Sequence, residues 1–461
     1  MRGGREVDHS DGARCTLRTP FRHGQHPTHD RNEELTTGKH CRAGSTAGAG
    51  AGLTTGAAAV DAGRMSELRR IVVVGASLAG LAAVRALRAE GFDGEVVVVG
   101  EEVHRPYDRP PLSKQLLLGT WTTEQLALEA ADEGLDARWL LGVPATGLDP
   151  GTRTLTLADG TRLVADGFVL ATGARPLRLP GAGDTAGVHV LRTLDDAAAL
   201  GAELRPGRRL VVIGGGFLGS EVAAAARSRD VGVTLLERGT QPFARQFGAD
   251  VGALVGALHA RGGTTVRGGV GVAGLLSAPG EDGTPHVTGV ELADGEVVPA
   301  DVVLVAIGAT PNVEWLHDSG LDVVDGVSTD DRGATSSPHV VAVGDCATVV
   351  DPDGGAVRHE HWTTASERPA VAVRTLLSGG AAEGRFTGVP YFWSDLYGER
   401  LQFAGSREDG DVPVFVEGAA GDDRFVVVWE RDGVPTAVLG LSSSRTFTKW
   451  RRQLAKQTTA A

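Results

Sequence analysis

Cysteine is nearly missing from this chain. Its 461 residues contain three, Cys15, Cys41 and Cys346, with no C-x-x-C and no metal-ligand spacing. A disulfide framework and a cysteine-built metal site are both excluded, and the chain reads as cytoplasmic. Methionine is rarer still, at Met1 and Met65 only. Lysine is confined to Lys39, Lys114, Lys449 and Lys456, so arginine carries almost all the positive charge. No run of about 18 apolar residues occurs, so no transmembrane helix and no membrane partner are expected. Positive charge is also in deficit. With 45 Lys and Arg against 58 Asp and Glu, the net charge is −13. A nucleic-acid binder normally carries a basic footprint, so no nucleic-acid partner is expected either.

Glycine, in contrast, is abundant at 66 residues, many of them in short motifs and not in repeats. Residues 1–64 form a separate stretch. Segments such as "AGSTAGAGAGLTTGAAA" bury too little apolar surface to offset the entropy of ordering. The stretch has no apolar core of a secretory signal. It is expected to be a disordered tail, or an extension called upstream of a natural start at Met65. From Ile71 the texture changes to alternating strands and helices. "IVVVG" and, after an Ala/Leu/Arg helix, "EVVVVG" are apolar runs of the buried parallel type. A second unit starts at "RRLVVIGGG" and continues to "GVTLLE". Beyond about Phe386 short strands such as "VPVFVEG" and "RFVVVWE" take over. The reading is α/β, with two Rossmann-like dinucleotide-binding domains and a C-terminal α+β domain.

Each unit carries a phosphate cradle. The first is Gly75-Ala76-Ser77-Leu78-Ala79-Gly80, in which Ser77 takes the place of the middle glycine of G-x-G-x-x-G. Glycines permit the tight turn and the close approach of backbone N–H groups to a pyrophosphate, and the helix N-terminus adds partial positive charge. About 20 residues on, at the end of the next strand, Glu101 or Glu102 is placed to take the ribose hydroxyls. The second cradle, Gly214-Gly215-Gly216-Phe217-Leu218-Gly219, matches in full. Glu221 follows in the first helical turn, and Glu237 ends the next strand. A carboxylate there bonds the ribose diol and repels a 2′-phosphate, which favours NADH, although Arg238 beside it softens that preference.

Between the cradles lies "RPYDRPPLSK" (Arg105–Lys114). Further on come "ATGARP", "LRTLDDA", "IGATPN", "AVGDCA", "EHW" and "PYFWSDLYG". Together with the cradles, these motifs closely resemble the FAD-dependent ferredoxin reductases that serve cytochromes P450 and Rieske-type oxygenases, which have a glutathione-reductase-like fold. The resemblance covers nearly everything from Arg69 onward. It implies an FAD-binding domain in two parts, 65–178 and 312–384, an NAD-binding domain at 179–311 and an interface domain at 385–461.

It also implies roles. Ala79 and Gly80 lie under the FAD pyrophosphate and Glu101 holds the adenosine ribose. Ala145 borders the adenine, Thr172 and Gly173 belong to the cofactor wall, and Arg192 contacts the cofactor between the domains. Asp345 bonds the ribitol and Trp362 covers the isoalloxazine. Arg109 and Lys114 reach the flavin, with Lys114 near its reactive edge and paired with Glu221. NADH is held by Gly216, Glu221, Glu237 and Gly308. Lys114, Glu221 and Trp362 are thus the expected catalytic set, with no metal.

The activity implied is NADH:ferredoxin oxidoreduction: hydride enters from NADH, and electrons leave singly to a small iron–sulfur ferredoxin of the 2Fe–2S or 3Fe–4S kind. The enzyme would be a monomer or homodimer. A disulfide reductase or NADH peroxidase on the same fold needs a thiol over the flavin, and "QLLLGTWTTEQLALEA" has none. A rubredoxin reductase differs only in its partner. A redox-signalling flavoprotein of the apoptosis-inducing type needs a basic surface. Arg445, Lys449, Arg451, Arg452 and Lys456, with Arg368, are expected to form the ferredoxin face of an otherwise acidic protein. Arg368, Pro369 and Leu396 depart from the family pattern at positions expected near the flavin and the acceptor. Cys346 is expected to be a small buried residue.

Overall fold

A computed structural model describes residues 68–460, apart from 184, 352–353 and 382–383. The expectation for residues 1–64 and a start at Met65 lies outside the described residues. No helix in the described region is long and apolar enough to cross a membrane.

Valine runs build the first sheet. Strands Arg70–Val74 (β1) and Glu95–Gly100 (β2) pair in parallel, and four successive residues of the first and five of the second are buried. Burial on both faces is why they show no polar alternation. Gly167–Leu170 and Val340–Ala342 extend the sheet on one side, and Ala137–Leu141 on the other, all in parallel. Helix Leu78–Ala89 (α1) starts directly after the β1 turn. Its Leu81, Val84 and Leu87 pack with Val373, Leu376 and Leu377, which come from a helix far along the chain. The first sheet is therefore completed by residues that follow the second nucleotide unit in sequence.

The second unit repeats this plan. Arg209–Ile213 (β3) lies between Gly232–Glu237 (β4) and Val302–Val305, with Thr265–Gly268 and Val188–His189 at the edges, all parallel. Helix Phe217–Arg227 (α2) leaves the β3 turn, and Ala249–Arg261 (α3) follows β4. Helix Trp362–Ser378 (α4) then returns to the first sheet.

The C-terminal part is an antiparallel sheet. Tyr391–Leu396 (β5) pairs with Glu399–Gly405 (β6), and three further strands reach to residue 441. One face of the sheet presents Phe425, Val427 and Trp429 to α3 and to Phe243 and Phe247 of the second unit. The other presents Val426, Val428 and Val438 to Phe447 and Leu454 of the last helix, Ser444–Ala460 (α5). The period of two along each strand sends alternate residues to the two layers.

Candidate functional site

The two turns obey the same backbone rule. Gly75 and Gly214 have φ of +121° and +108°, and a Cβ at either would lie 2.0 or 2.3 Å from a carbonyl oxygen of a neighbouring strand. Only glycine is accommodated there. Gly80 and Gly219 let the helix press on the turn, since a Cβ would come 1.8 and 2.2 Å from the Gly75 and Gly214 carbonyl oxygens. The middle position is different. Ser77 has φ −123° and Gly216 −79°, and a Cβ at Gly216 would meet nothing. Serine is therefore accommodated at the first turn without backbone strain.

Both turns open into one cavity of about 1180 Å³. Ser77, Ala79, Arg109, Lys114, Gly173, Arg192, Asp345 and Trp362 line it, as do Gly214, Gly216, Glu221, Glu237 and Gly308. Gly75, Gly80 and Gly219 lie behind the lining and shape it. Glu101, Ala145 and Thr172 are also not among the lining residues. Ala145 sits half-buried on a small separate sheet. The Thr172 hydroxyl donates to the Asn312 carbonyl at 2.7 Å, and the Asn312 amide donates back at 3.0 Å, stitching the wall behind Gly173.

At the first turn the side chains form a net. Arg109 donates to Glu102 Oε1 (2.6 Å), Tyr107 Oη (3.2 Å), Ser77 Oγ (3.2 Å) and the Arg192 carbonyl (2.5 Å). Tyr107 donates to Glu102 in turn, and burial raises its pKa. Glu102 is thus spent inside the protein. Glu101 is exposed and has no hydrogen bond to the described residues, which leaves it as the carboxylate of the pair available to a ribose. Arg192 reaches Asp345 Oδ2 at 2.7 Å, so these two cavity residues hold each other. The Trp362 indole donates to Asp108 Oδ1 at 2.9 Å and meets Trp393 edge-on. A lining of this kind fits an extended dinucleotide, with N–H groups at one end and a planar aromatic wall at the other.

At the second turn Glu237 accepts from the backbone of Gly215 (2.8 Å) and Gly239 (2.6 Å), which fixes its carboxylate beside the cradle. Arg238 and Arg245 line the cavity and form no ion pair with the described residues. Between the cradles Lys114 Nζ lies 2.7 Å from Glu221 Oε2, and both residues are under 10% exposed. Such a pair survives burial only when its remaining polar atoms are satisfied. Lys114 donates also to the Pro110 carbonyl at 3.1 Å, while Ser113 and Ser394 donate to Glu221.

Cys346 is fully buried beneath Asp345. Its thiol donates to the Val343 carbonyl at 3.3 Å, and burial pushes its pKa up, so it offers no nucleophile to the cavity.

Three expectations change. Leu396 is not among the cavity-lining residues: it shares a strand face with Phe392 and Ser394 but lies at the far end of β5, packed in the core cluster with Phe247 and Trp429. Arg451 is not a free surface cation, because its guanidinium stacks on the Tyr391 ring at 4.1 Å. Arg368 is half-buried over Phe386 at 5.3 Å, and burial lowers its pKa. The sequence reading also missed Ser113, Ser394 and Tyr107. Ser113 and Tyr107 lie inside the segment that carries Lys114, and Ser394 lies inside "PYFWSDLYG", so the motifs contained them without revealing their partners.

The profile described as "Pyridine nucleotide-disulphide oxidoreductase" matches residues 69–368, and one described as "Reductase C-terminal" matches 391–461. The chain is 38% identical over 381 residues to the ferredoxin reductase component of chlorobenzene dioxygenase from a Cupriavidus species, covering 82% of this chain and 90% of that protein. It is 37% identical to the ferredoxin–NAD(+) reductase component of the biphenyl dioxygenase system of Paraburkholderia xenovorans, covering 82% and 91%. Among solved structures, the covalent putidaredoxin reductase–putidaredoxin complex superposes with a TM-score of 0.79 at 33% identity, covering 84% of this chain and 93% of that one.

Proposed function

Because the chain belongs to the pyridine nucleotide-disulphide oxidoreductase family, we propose that it is an FAD-dependent NADH:ferredoxin reductase, feeding an iron–sulfur ferredoxin that serves a cytochrome P450 or Rieske-type oxygenase. The observation that carries this is the shared cavity. Two phosphate cradles face it, the buried Lys114–Glu221 pair lies in the wall between them, and no cysteine of the described residues lines it.

FAD, when bound, supplies the conversion of a hydride into single electrons. The chain supplies binding and orientation. The N-terminus of α1 and the N–H groups of the Gly75 turn receive one pyrophosphate, and Glu101 takes its ribose. Arg192 and Asp345, paired at 2.7 Å in the cavity wall, would offer that cofactor a cation and an acceptor. The Gly214 turn and α2 receive the second pyrophosphate, and Glu237 accepts its ribose hydroxyls. Lys114 would supply a fixed positive charge in the wall between the two cradles, favouring an electron-rich ring bound beside it. Trp362 and Trp393 close the far wall against water. No residue has to transfer a proton, since the cofactors carry the chemistry and position is what the protein contributes.

The acceptor is an acidic ferredoxin carrying a 2Fe–2S or 3Fe–4S cluster. Steady-state turnover with NADH and NADPH against a panel of ferredoxins, with rubredoxin included, tests the reading. Fast NADH-dependent reduction of one ferredoxin is expected. Turnover with rubredoxin alone, or a long-lived reduced state that turns over with no iron–sulfur protein, would overturn it.

A further inference from the structure

Glu221 is held by all three parts of the chain. Lys114 and Ser113 approach its Oε2 from the segment before the second unit, Glu221 itself stands on α2, and Ser394 on β5 donates to Oε1 at 2.6 Å. Ser394 is fully buried and is the sole side-chain donor to Oε1 among the described residues. Lys114 Nζ is ion-paired with Glu221 and donates to the Pro110 carbonyl. The same side chain lines the cavity.

The β5–β6 hairpin that carries Ser394 is itself anchored. Leu396 pairs with Glu399 across a two-residue turn, Tyr397-Gly398, and both turn residues have positive φ (+54° and +88°). This is the turn that matches strand twist, although tyrosine seldom adopts it. The tyrosine reaches across to the second unit. Its hydroxyl exchanges hydrogen bonds with His259 Nδ1 and Thr264 Oγ1, each at 2.8 Å. His259 Nε2 is 3.1 Å from Ser220 Oγ, one residue before Glu221. Burial pushes the His259 pKa down to about 4, so the ring is neutral and serves one donor and one acceptor. The Tyr397 ring lies on Gly262, where a Cβ would come 2.1 Å from it.

We infer that Ser394, carried on the Tyr397-anchored hairpin, is a positioning residue that sets the orientation of the Glu221 carboxylate and thereby the place of Lys114 Nζ in the cavity. Without Ser394 the buried Oε1 has no side-chain donor, and the cheapest remedy is rotation of the carboxylate toward Lys114, so that both oxygens share one ammonium. That draws Nζ out of the cavity. The C-terminal part, which contributes no phosphate cradle, thus helps set the electrostatics of hydride transfer. The inference rests on the reading that NADH reduces a flavin beside Lys114.

The test uses FAD-loaded wild type, Ser394→Ala, Ser394→Thr and Tyr397→Phe. Anaerobic stopped-flow reduction by NADH gives the limiting rate and the NADH dissociation constant, and dye equilibration gives the flavin midpoint potential. For Ser394→Ala the limiting rate should fall roughly tenfold, the worth of one hydrogen bond to a charged group. NADH affinity should change less than about twofold, because a charge-placing hydrogen bond acts on the transition state and not on ground-state binding. The midpoint potential should move down, because a displaced cation stabilises the reduced ring less. Ser394→Thr should restore both values, and Tyr397→Phe should move both in the same direction by less. A Ser394→Ala enzyme with unchanged limiting rate and potential overturns the inference, and so does a threonine variant as impaired as the alanine one. If wild-type flavin is not reduced by NADH at all, the functional reading fails instead.

Discussion

At Gly75 and at Gly214 the backbone is the same, but the side chains around the two turns differ in kind. Arg109 ties Ser77, Glu102, Tyr107 and the Arg192 carbonyl together at the first turn, and Arg192 continues to Asp345. Five segments of the chain meet there. The second turn is lined by Arg238 and Arg245, which form no ion pair with the described residues, and its fixed carboxylate, Glu237, is held by the backbone N–H groups of Gly215 and Gly239. A net drawn from across the chain suits a ligand that stays. A bare turn with free cations and one anchored acid suits a ligand that must leave after each cycle, since little has to be broken on release. On the proposed function, one fold motif serves a resident and a visitor, and the neighbours decide which.

The largest effect that would break this comparison comes from the glycines. Gly75→Ala forces a Cβ against the Ala171 carbonyl oxygen at a φ that L residues avoid. The protein should purify without yellow colour, or not fold. Gly214→Ala places a Cβ against the Ala306 carbonyl oxygen. It should purify yellow and accept electrons from dithionite, yet lose NADH reduction by more than about 100-fold, as expected when more than about 2.7 kcal/mol of binding is forfeited. Absorbance at the flavin band separates the cases. Equal loss of FAD in both variants would mean the turns are not divided between resident and visitor.

A smaller effect sharpens the same division. Glu237→Ala removes a charged acceptor from the visitor's site, and hydrogen bonds to charged groups contribute roughly 1.5–3 kcal/mol. The kcat/KM for NADH should fall about tenfold to 100-fold, the NADPH/NADH ratio should rise, and bound FAD should stay unchanged. Glu101→Ala should do the reverse, weakening FAD retention in dialysis with little effect on NADH kinetics. Kinetics that respond to both variants alike would remove the distinction.

Much of this division was legible in the sequence, because the features that make it are local. Strand–glycine–helix runs with an acid one strand later announce themselves along the chain, as Gly75 to Glu101 and Gly214 to Glu237 do. What closes the cavity is not local. Arg192–Asp345, Thr172–Asn312 and Ser394–Glu221 join residues that are distant in the chain, and no periodicity predicts such a bond. The choice between Glu101 and Glu102 was open in the sequence for the same reason: it depends on Tyr107 and Arg109 claiming the second of them. Leu396 was misplaced because motif membership does not say how far along a strand the site reaches, and Arg451 because a helix stripe read as charge ignores the ring beneath it.

The smallest expected effect concerns where electrons leave. On α5, Arg445, Lys449, Arg452 and Lys456 fall at helical spacing, are all exposed, and form no ion pair with the described residues. Arg451, one position away, is turned inward onto Tyr391, which stacks with Trp393 of the cavity wall at 5.7 Å. The free cations therefore stand over an aromatic path to the resident site and not to the visitor's. Lys449→Glu with Arg452→Glu should raise the KM for an acidic ferredoxin about tenfold at low salt, and by much less near 0.5 M salt, where exposed charges are screened. Flavin reduction by NADH should not change. Arg451→Glu should instead lower thermal stability, because it breaks a packed contact. If the double reversal left the ferredoxin KM unchanged at low ionic strength, the outlet would lie on another face, and the link between the resident site and α5 would be packing without passage.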